Sequence, residues 1–375
     1  MKKFDVAIAG AGLIGSAIAL ELARAGLRVG LFDKNEPGQE ASWASAGILS
    51  PAPENPAMIA TVPLGLASMG LYPEFIADVE EMSGHETGYR RKGTLQALFS
   101  RDAREELNTV IALHHGLGLK AEAVSADEAR EMEPALSEEM EAAILRPDEG
   151  SVDNRRLTNA VLEAVKRAGV EIFANQGVRA IRRQGARCTG VVTGDGFFEA
   201  QFTVIAAGCF SAEIEGLSSY APVTPAKGQI LALRPGDSKI ERVLWSKNIY
   251  LVPRTDGRVI VGATTERAGF NKELTAGGLQ KLLAGAIELA PCLAVARIDE
   301  IWAGLRPDSP DHLPIIGPTD IEGLLVASGH FRSGIVLAPI TARLICDWIV
   351  KQNVTVAWER FSPMRFAKAR KVVDA

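Results

Sequence analysis

The feature that most constrains the fold is a glycine-rich turn near the start of the chain. Residues 4–9, which are apolar except for Asp5, predict a short buried strand. Residues 10–15 read G-A-G-L-I-G, and apolar side chains then recur at helical spacing. A second strand is predicted over residues 28–32, R-V-G-L-F, and ends at Asp33. This order of strand, glycine turn, helix and strand is typical of a βαβ unit that binds a dinucleotide.

The glycines of this turn have separate predicted tasks. Gly10 permits a tight turn, Gly12 lets backbone N–H groups approach a pyrophosphate, and Gly15 lets the helix pack closely on the strand. Asp33 follows Gly15 by 18 positions, near the spacing of about 20 expected for an acid that binds ribose hydroxyls. The acid disfavours a 2′-phosphate, but it does not distinguish NAD from FAD.

Composition narrows the class of protein. A chain of 375 residues predicts two or three domains, because single cores rarely grow past about 250–300 residues. The net charge of -5 with no basic block argues against nucleic acid or an anionic membrane surface as partner. The apolar run at 334–350 contains Arg343 and Asp347, and no clean signal sequence is present, so we expect a cytoplasmic protein without a membrane span.

The potential metal and disulfide residues are scattered. The four cysteines form no C-x-x-C pair, and the five histidines show no metal-ligand spacing. We therefore expect free cysteines and no metal.

Further strand and helix patterns indicate that the dinucleotide-binding elements are separated in sequence. Helical patterns cover 63–82, 107–116, 126–131, 156–168 and 279–289, and strand patterns cover 90–99, 170–174, 178–181, 189–193, 197–202, 203–208, 229–233, 249–253, 259–263 and 324–327. A hairpin turn at 255–257 joins two of these strands. An NAD domain would normally be one contiguous block, so the interrupted pattern is unlike one.

A second glycine turn, G-H-F-R-S-G at residues 329–334, precedes a helix predicted over 335–350. Pro339 is tolerated only near a helix start, so this helix should begin close to Val336. The positive end of a helix stabilises negative charge. A reduced flavin carries such charge at N1–C2=O and a nicotinamide does not, which favours FAD.

Four stretches together resemble the FAD-dependent amine and amino-acid oxidases, the DAO family, and within it the glycine oxidase type associated with thiamine biosynthesis. The stretches are the first glycine turn, S-A-G-I at 45–48, W-A-G-L-R-P at 302–307 and G-H-F-R-S-G-I at 329–335. The resemblance runs over nearly the whole chain in the right order.

The resemblance implies an α/β fold in two parts. One is a discontinuous, Rossmann-like FAD-binding domain of the glutathione-reductase type, over residues 1–83, 149–219 and 303–375. The other is an antiparallel-sheet substrate-binding domain, over residues 84–148 and 220–302.

The resemblance also implies the chemistry. Members oxidise the C–N bond of small amino acids by hydride transfer to flavin N5, and the imine hydrolyses to an oxo acid and ammonia. Molecular oxygen reoxidises the flavin and yields hydrogen peroxide. The expected substrate is glycine or a similar small amino acid such as sarcosine or a small D-amino acid. No His or Cys stands where sarcosine-oxidase relatives tether the flavin, so FAD should be non-covalent. A homo-oligomer is left open.

By motif position, the resemblance assigns a large set of residues to the FAD. These are Gly10, Gly12, Leu13, Ile14, Gly15, Asp33, Lys34, Ala41, Ser42, Ala46, Gly47, Ile48, Val178, Gly208, His330, Phe331, Arg332, Ser333, Gly334, Ile335 and Val336. His330 is assigned a backbone contact with the flavin rather than the role of a base.

Three residues are candidates for contacts at the reacting centre. The guanidinium fork of Arg306 matches a substrate carboxylate, and Pro307 favours an extended backbone there. Tyr250 matches the family tyrosine that helps hold the carboxylate, although a packed sheet tyrosine is the alternative. Arg332 matches a position beside flavin and substrate, where burial would require a nearby anion.

Thr265 and Asn248 stand at substrate-domain positions where glycine oxidases of this type carry Met and His, so the substrate stays open. No Ser-His-Asp or Cys-His constellation is present, and His312 is read as a loop residue. Hydride transfer mainly requires orientation of the α-carbon over N5. Competing hypotheses are a D-amino-acid or secondary-amine dehydrogenase that uses another acceptor, a flavin-bearing subunit without turnover, and an NAD dehydrogenase.

Overall fold

The computed structural model describes residues 2–100, 102–247, 249–354 and 356–367. The strands are β1 (Lys3–Ala9), β2 (Val29–Phe32), β3 (Ile48–Leu49), β4 (Thr94–Leu98), β5 (Glu122–Ser125), β6 (Ala142–Arg146), β7 (Gly150–Ser151), β8 (Glu171–Phe173), β9 (Ala180–Gln184), β10 (Arg187–Thr193), β11 (Gly196–Ile205), β12 (Thr224–Arg234), β13 (Val243–Trp245), β14 (Tyr250–Pro253), β15 (Val259–Gly262), β16 (Arg297–Asp308), β17 (Ile315–Pro318) and β18 (Leu324–Ser328). The helices are α1 (Leu13–Arg24), α2 (Ala41–Ala44), α3 (Val62–Ser83), α4 (Ala103–Gly116), α5 (Ala126–Met132), α6 (Asn154–Arg167), α7 (Ala276–Leu289) and α8 (Ala338–Lys351).

The first of two eight-stranded sheets contains the glycine turn. Its main path runs β17-β18-β11-β1-β2-β8, and all neighbours are parallel except β17 with β18. Helices α1, α3, α6 and α8 pack together over one face, where the largest apolar core lies. The antiparallel strands β9 and β10 extend from β11 and contribute to the apolar packing at its other side. Burial of these parallel strands explains why residues 6–9 of β1 and all of β2 are apolar.

The second sheet has the order β16-β12-β15-β14-β13-β4-β6-β5. Every neighbouring pair is antiparallel except β13 with β4. That pair joins two chain segments far apart in sequence, so its direction is not imposed by a hairpin. Helix α7 packs on the sheet and closes a second apolar core. The predicted antiparallel sheet is therefore present, with one parallel pair.

Most predicted elements occur, with differences at their ends. The helices predicted at 63–82, 107–116, 126–131 and 156–168 are α3, α4, α5 and α6. The strands predicted at 197–202 and 203–208 are one strand, β11, because β1 pairs along it from Glu199 to Ile205. Helix α8 begins at Ala338, two residues beyond the predicted start. The Tyr72 and Ser68 hydroxyls of α3 donate to the Ile335 and Val336 carbonyls, and the Ala338 N–H closes a tight turn by donating to the Ile335 carbonyl.

The two sheets draw on the chain segments that the sequence assigned to separate domains. Strand β16 runs through the predicted boundary between residues 302 and 303 and reaches Asp308. The division at 1–83, 149–219 and 303–375 against 84–148 and 220–302 remains a prediction.

Helix α3 and the 3₁₀ turn before it form a helical stretch, Pro56–Ser83, that is long and apolar enough to cross a membrane. The sequence analysis predicted a helix here but did not consider it as a possible membrane span. Half of an apolar 18-residue window within the stretch is buried, Tyr72 is fully buried, and α3 packs on α6 and α8. Packing of this kind is that of a core helix.

The described residues include all four cysteines, and each is free. The same residues contain no group of three or more His, Cys, Asp or Glu side chains that could hold a metal ion.

Two helical glycines test the packing account. A Cβ on Gly15 would lie 1.9 Å from the carbonyl oxygen of Gly10, whereas a Cβ on Gly70, in α3, would meet nothing within 4 Å. Gly15→Ala should lower the free energy of unfolding by about 1–3 kcal/mol or more. Gly70→Ala should leave it unchanged or raise it by up to about 1 kcal/mol. Chemical denaturation measures the free energy of unfolding of both variants. An equal change in the two variants would contradict the close packing inferred at Gly15.

Candidate active site

A cavity of about 630 Å³ lies where the two sheets meet. Its walls include every residue that the sequence assigned to FAD except Gly15, and they also include Tyr250, Arg306 and Arg332. Gly15 does not line the cavity, because its missing side chain serves the packing of α1 against the Gly10 carbonyl. Segments 300 residues apart in sequence thus share one cavity.

The first glycine turn forms one end of the cavity. Gly10 has φ +104, and a Cβ there would lie 2.4 Å from the Ala206 carbonyl oxygen. Asp33 accepts a hydrogen bond from the Ala11 N–H at 2.8 Å, which fixes the end of β2 beside the turn. Burial raises the pKa of Asp33 despite its backbone hydrogen bonds. The bare backbone and the N-terminus of α1 fit a pyrophosphate, and the Asp33 carboxylate is placed for a ribose.

The small-residue stretch at 41–48 is held by a buried arginine that the sequence reading missed. The Arg254 guanidinium donates to the Ala46 carbonyl at 2.9 Å, to Asn154 Oδ1 at 2.8 Å and to the Val152 carbonyl at 3.3 Å. Burial lowers its pKa to about 10. Arg254 directly follows β14, so it joins the second sheet to the cavity wall. The sequence carries no signal for this contact, because the acceptors are backbone and amide groups about 100 or more positions away.

The end of β16 is joined directly to the second glycine turn. The Phe331 N–H donates to the Pro307 carbonyl at 2.8 Å, and Asp308 forms an antiparallel bridge with His330. Arg306 is extended on β16, as Pro307 predicts. This joint brings Arg306 and Arg332 to the same part of the cavity.

The two histidines near the joint have defined contacts. His330 is buried, its Nε2 lies 3.1 Å from Thr341 Oγ1, and burial lowers its pKa to about 3, so the ring is neutral near pH 7. His312 Nδ1 lies 2.7 Å from the buried Asp308 carboxylate, and its ring stacks on Phe331 with centroids 5.4 Å apart. His312 therefore supports the turn from outside, a contact that the sequence reading did not foresee.

Arg306 and Tyr250 form the polar centre of the other end of the cavity. Arg306 Nη1 donates to the Thr264 carbonyl at 3.2 Å, and the guanidinium interacts with the Tyr250 hydroxyl. Burial lowers the pKa of Arg306, and the neighbouring Arg332 lowers it further, although Tyr250 and Glu54 oppose the change. Burial also raises the pKa of Tyr250. A Cβ on Gly228 would lie 2.4 Å from Arg306 Nη1, so that glycine makes room for the guanidinium.

Arg332 forms the neighbouring contact set. It pairs with Glu54, and its Nη2 donates to Thr265 Oγ1 at 2.9 Å. Arg332 is exposed rather than buried, and the anion beside it is a protein carboxylate that the sequence reading missed. Glu54 lies between β3 and α3 in no recognisable motif. Thr265 contacts Arg332 but does not itself line the cavity, and Asn248 lies outside the described residues.

Comparisons with known proteins identify the family. A family model described as FAD dependent oxidoreductase (DAO) matches residues 5–348. The chain is 38% identical over 369 residues to the bifunctional protein ThiO/ThiG of Synechocystis sp., covering 96% of this chain and 54% of that protein. It is 33% identical to the glycine oxidase of Geobacillus kaustophilus, covering 97% of each. The chain thus spans about half the length of the bifunctional relatives.

Solved structures give the same picture. The crystal structure of the Geobacillus kaustophilus glycine oxidase matches with a TM-score of 0.92 and 32% identity, covering 97% of this chain and 99% of that one. The glycine oxidase from Bacillus cereus matches with a TM-score of 0.87 and 31% identity, covering 94% and 96% of the two chains. These matches confirm the predicted fold class, and the family match confirms FAD as the cofactor.

The neutral His330 predicts a specific pH dependence of stability. The folded protein takes up the His330 proton only near its pKa of about 3, whereas the unfolded chain takes it up near 6.5, so this contribution is lost as pH falls below about 6.5. Between pH 7 and pH 5 the loss should be about 2 kcal/mol. His330→Asn should remove that part of the slope, and the exposed His85→Asn should not. The free energy of unfolding is measured by denaturation at each pH. The same pH dependence in wild type and His330→Asn would contradict this prediction.

Proposed function

The chain belongs to the DAO family of FAD-dependent oxidoreductases, and we propose that it is an oxidase of glycine or a similarly small amino acid. The coarser activity, FAD-dependent oxidation of an amino acid, agrees with the glycine oxidase relatives. The finer proposal is that the α-carbon loses a hydride, the resulting imine hydrolyses to an oxo acid and ammonia, and oxygen is reduced to hydrogen peroxide.

The observation that carries the proposal is the unfilled donor capacity of Arg306. A guanidinium has five N–H donors. Within the described residues, Arg306 has the Thr264 carbonyl and the Tyr250 hydroxyl as partners. Arg254 serves as the contrast, because its guanidinium donates three hydrogen bonds to backbone and amide acceptors and lies 3.8 Å from the Asp153 carboxylate. A guanidinium in a cavity wall with donors to spare fits a bidentate carboxylate.

The charges at this end of the cavity fit a monoanionic group. Arg306 and Arg332 bring two positive charges, and Glu54 brings one negative charge. One net positive charge is left for a substrate carboxylate. Tyr250 donates a further hydrogen bond to that carboxylate, since burial keeps its phenol protonated.

The first glycine turn, Asp33, residues 46–48 and residues 330–336 hold the cofactor non-covalently. When bound, FAD accepts the hydride from the substrate α-carbon. The task of the protein is orientation: Arg306 and Tyr250 fix the carboxylate, and the fixed carboxylate sets the direction of the α-carbon and amine. A small substrate is proposed because Glu54, Met58 and Trp245 also line this end. Thr265 and Asn248 leave the choice among small amino acids open, and a place in thiamine biosynthesis is part of the proposal.

The activity is tested by mixing the yellow holoenzyme anaerobically with glycine, sarcosine, D-alanine or D-proline and recording flavin absorbance. The proposal expects at least one of these to bleach the flavin, and expects air to restore the colour with release of peroxide. Bleaching without reaction with air would instead indicate a dehydrogenase that uses another acceptor. A flavin that no amino acid bleaches would overturn the proposal.

Replacing Arg306 separates carboxylate binding from folding. Arg306→Leu should weaken binding of a carboxylated substrate by about 2–5 kcal/mol, or about 30- to 4,000-fold, and Arg306→Lys should restore part of it because the charge remains. Arg297→Leu, at the exposed end of the same strand, is the matched control and should change little. Substrate-dependent flavin reduction gives the apparent dissociation constants. An unchanged constant in Arg306→Leu would remove this residue from the carboxylate role.

A further inference from the structure

A long surface segment between β15 and α7 crosses from the second sheet to the elements of the first. We define the strap as residues 266–275. Most of its residues are exposed. Its start, Glu266, pairs with Lys227 of β12 through two backbone hydrogen bonds, and its end, Thr275, is the N-cap of α7. The strap is therefore a closed loop that is held at its base by the second sheet.

One buried side chain clamps both ends of the strap. Gln229 Nε2 donates to Glu266 Oε1 at 2.7 Å and to Thr275 Oγ1 at 2.9 Å, and its Oε1 accepts from the Thr275 N–H at 2.9 Å. Lys227, which is 2% exposed, adds an ion pair to Glu266 at 3.1 Å. Burying Lys227 is tolerable because of this partner. A base fixed in this way limits where the middle of the strap can lie.

The middle of the strap contacts the rim of the cavity at the dinucleotide end. Phe270 stacks on Phe210 with centroids 5.0 Å apart and planes 18° apart, and Lys272 forms an ion pair with Glu40. Phe210 and Glu40 both line the cavity, as does Lys34, whose ammonium lies over the Phe210 ring. Lys34 directly follows Asp33, so these contacts lie at the ribose end and not beside Arg306.

We propose that the strap is a latch that retains FAD. It holds Phe210 and Glu40 in place over the adenosine half of the cofactor, and release of FAD requires the Phe270 and Lys272 contacts to break first. The site fits this group, as the bare glycine turn and Asp33 show. The inference depends on FAD binding and is independent of which amino acid is oxidised.

The latch is tested on the holoenzyme by diluting it and following the fluorescence of released FAD. Phe270→Ala removes an aromatic stack and should speed release about 2- to 10-fold. Lys272→Glu places two like charges together and should speed it about 2- to 5-fold. The exchanged pair Lys272→Glu with Glu40→Lys should release FAD more slowly than either single variant.

Glu273→Ala is the matched control, because Glu273 lies in the strap and, among the described residues, its side chain hydrogen-bonds with Asn271 of the strap itself. Its release rate should equal that of the wild type. Unfolding of each apoprotein is measured in parallel. If Phe270→Ala and Lys272→Glu release FAD at the wild-type rate, or if they lower only apoprotein stability, the strap is a structural loop and the proposal is overturned. The proposal would also be overturned if the exchanged pair did not release FAD more slowly than each of the two single variants.

Discussion

The site depends on one backbone joint between the two sheets. The Phe331 N–H donates to the Pro307 carbonyl, and beside it Asp308 bridges to His330. The joint places a strand of the second sheet, with Arg306, against the turn that leads into α8. Helix α3 fixes the other side of that turn through Tyr72 and Ser68. Neither side can shift without losing backbone or buried hydroxyl hydrogen bonds, which are costly to leave unmade. Substrate and cofactor contacts therefore share one rigid frame.

Buried charge distinguishes structural from ligand-binding side chains here. Arg254 meets carbonyl and amide oxygens and has Asp153 nearby, and Lys227 meets Glu266. Such groups are satisfied within the protein, so burying them needs no ligand. Arg306 is different, because among the described residues its partners are one carbonyl and one phenol. The sequence alone cannot separate Arg254, Lys227 and Arg306, because each is a basic residue on or next to a β-strand and its hydrogen-bond partners are visible only in the structure.

Local sequence patterns predicted much of the fold. The glycine turn, the helices α1, α3 and α6 and the hairpin between β14 and β15 follow from spacing and turn residues. The continuity of β11 and the parallel pairing of β13 with β4 depend on partners distant in sequence, so spacing could not reveal them. For the site, motif positions identified Arg306, Tyr250 and Arg332 as candidates. The structure places all three in the wall of one cavity. No motif marks the segments that contain Glu54, Arg254 and the strap. Their roles become visible only from their contacts with residues distant in sequence.

The most direct test of this account is a crystal structure of the FAD-loaded enzyme with a small carboxylate such as glycolate. We expect both carboxylate oxygens to lie within hydrogen-bonding distance of the Arg306 guanidinium, with the Tyr250 hydroxyl on one of them. We also expect the Phe331 to Pro307 hydrogen bond to be retained. A carboxylate bound elsewhere in the cavity, with Arg306 turned to protein acceptors, would contradict this account.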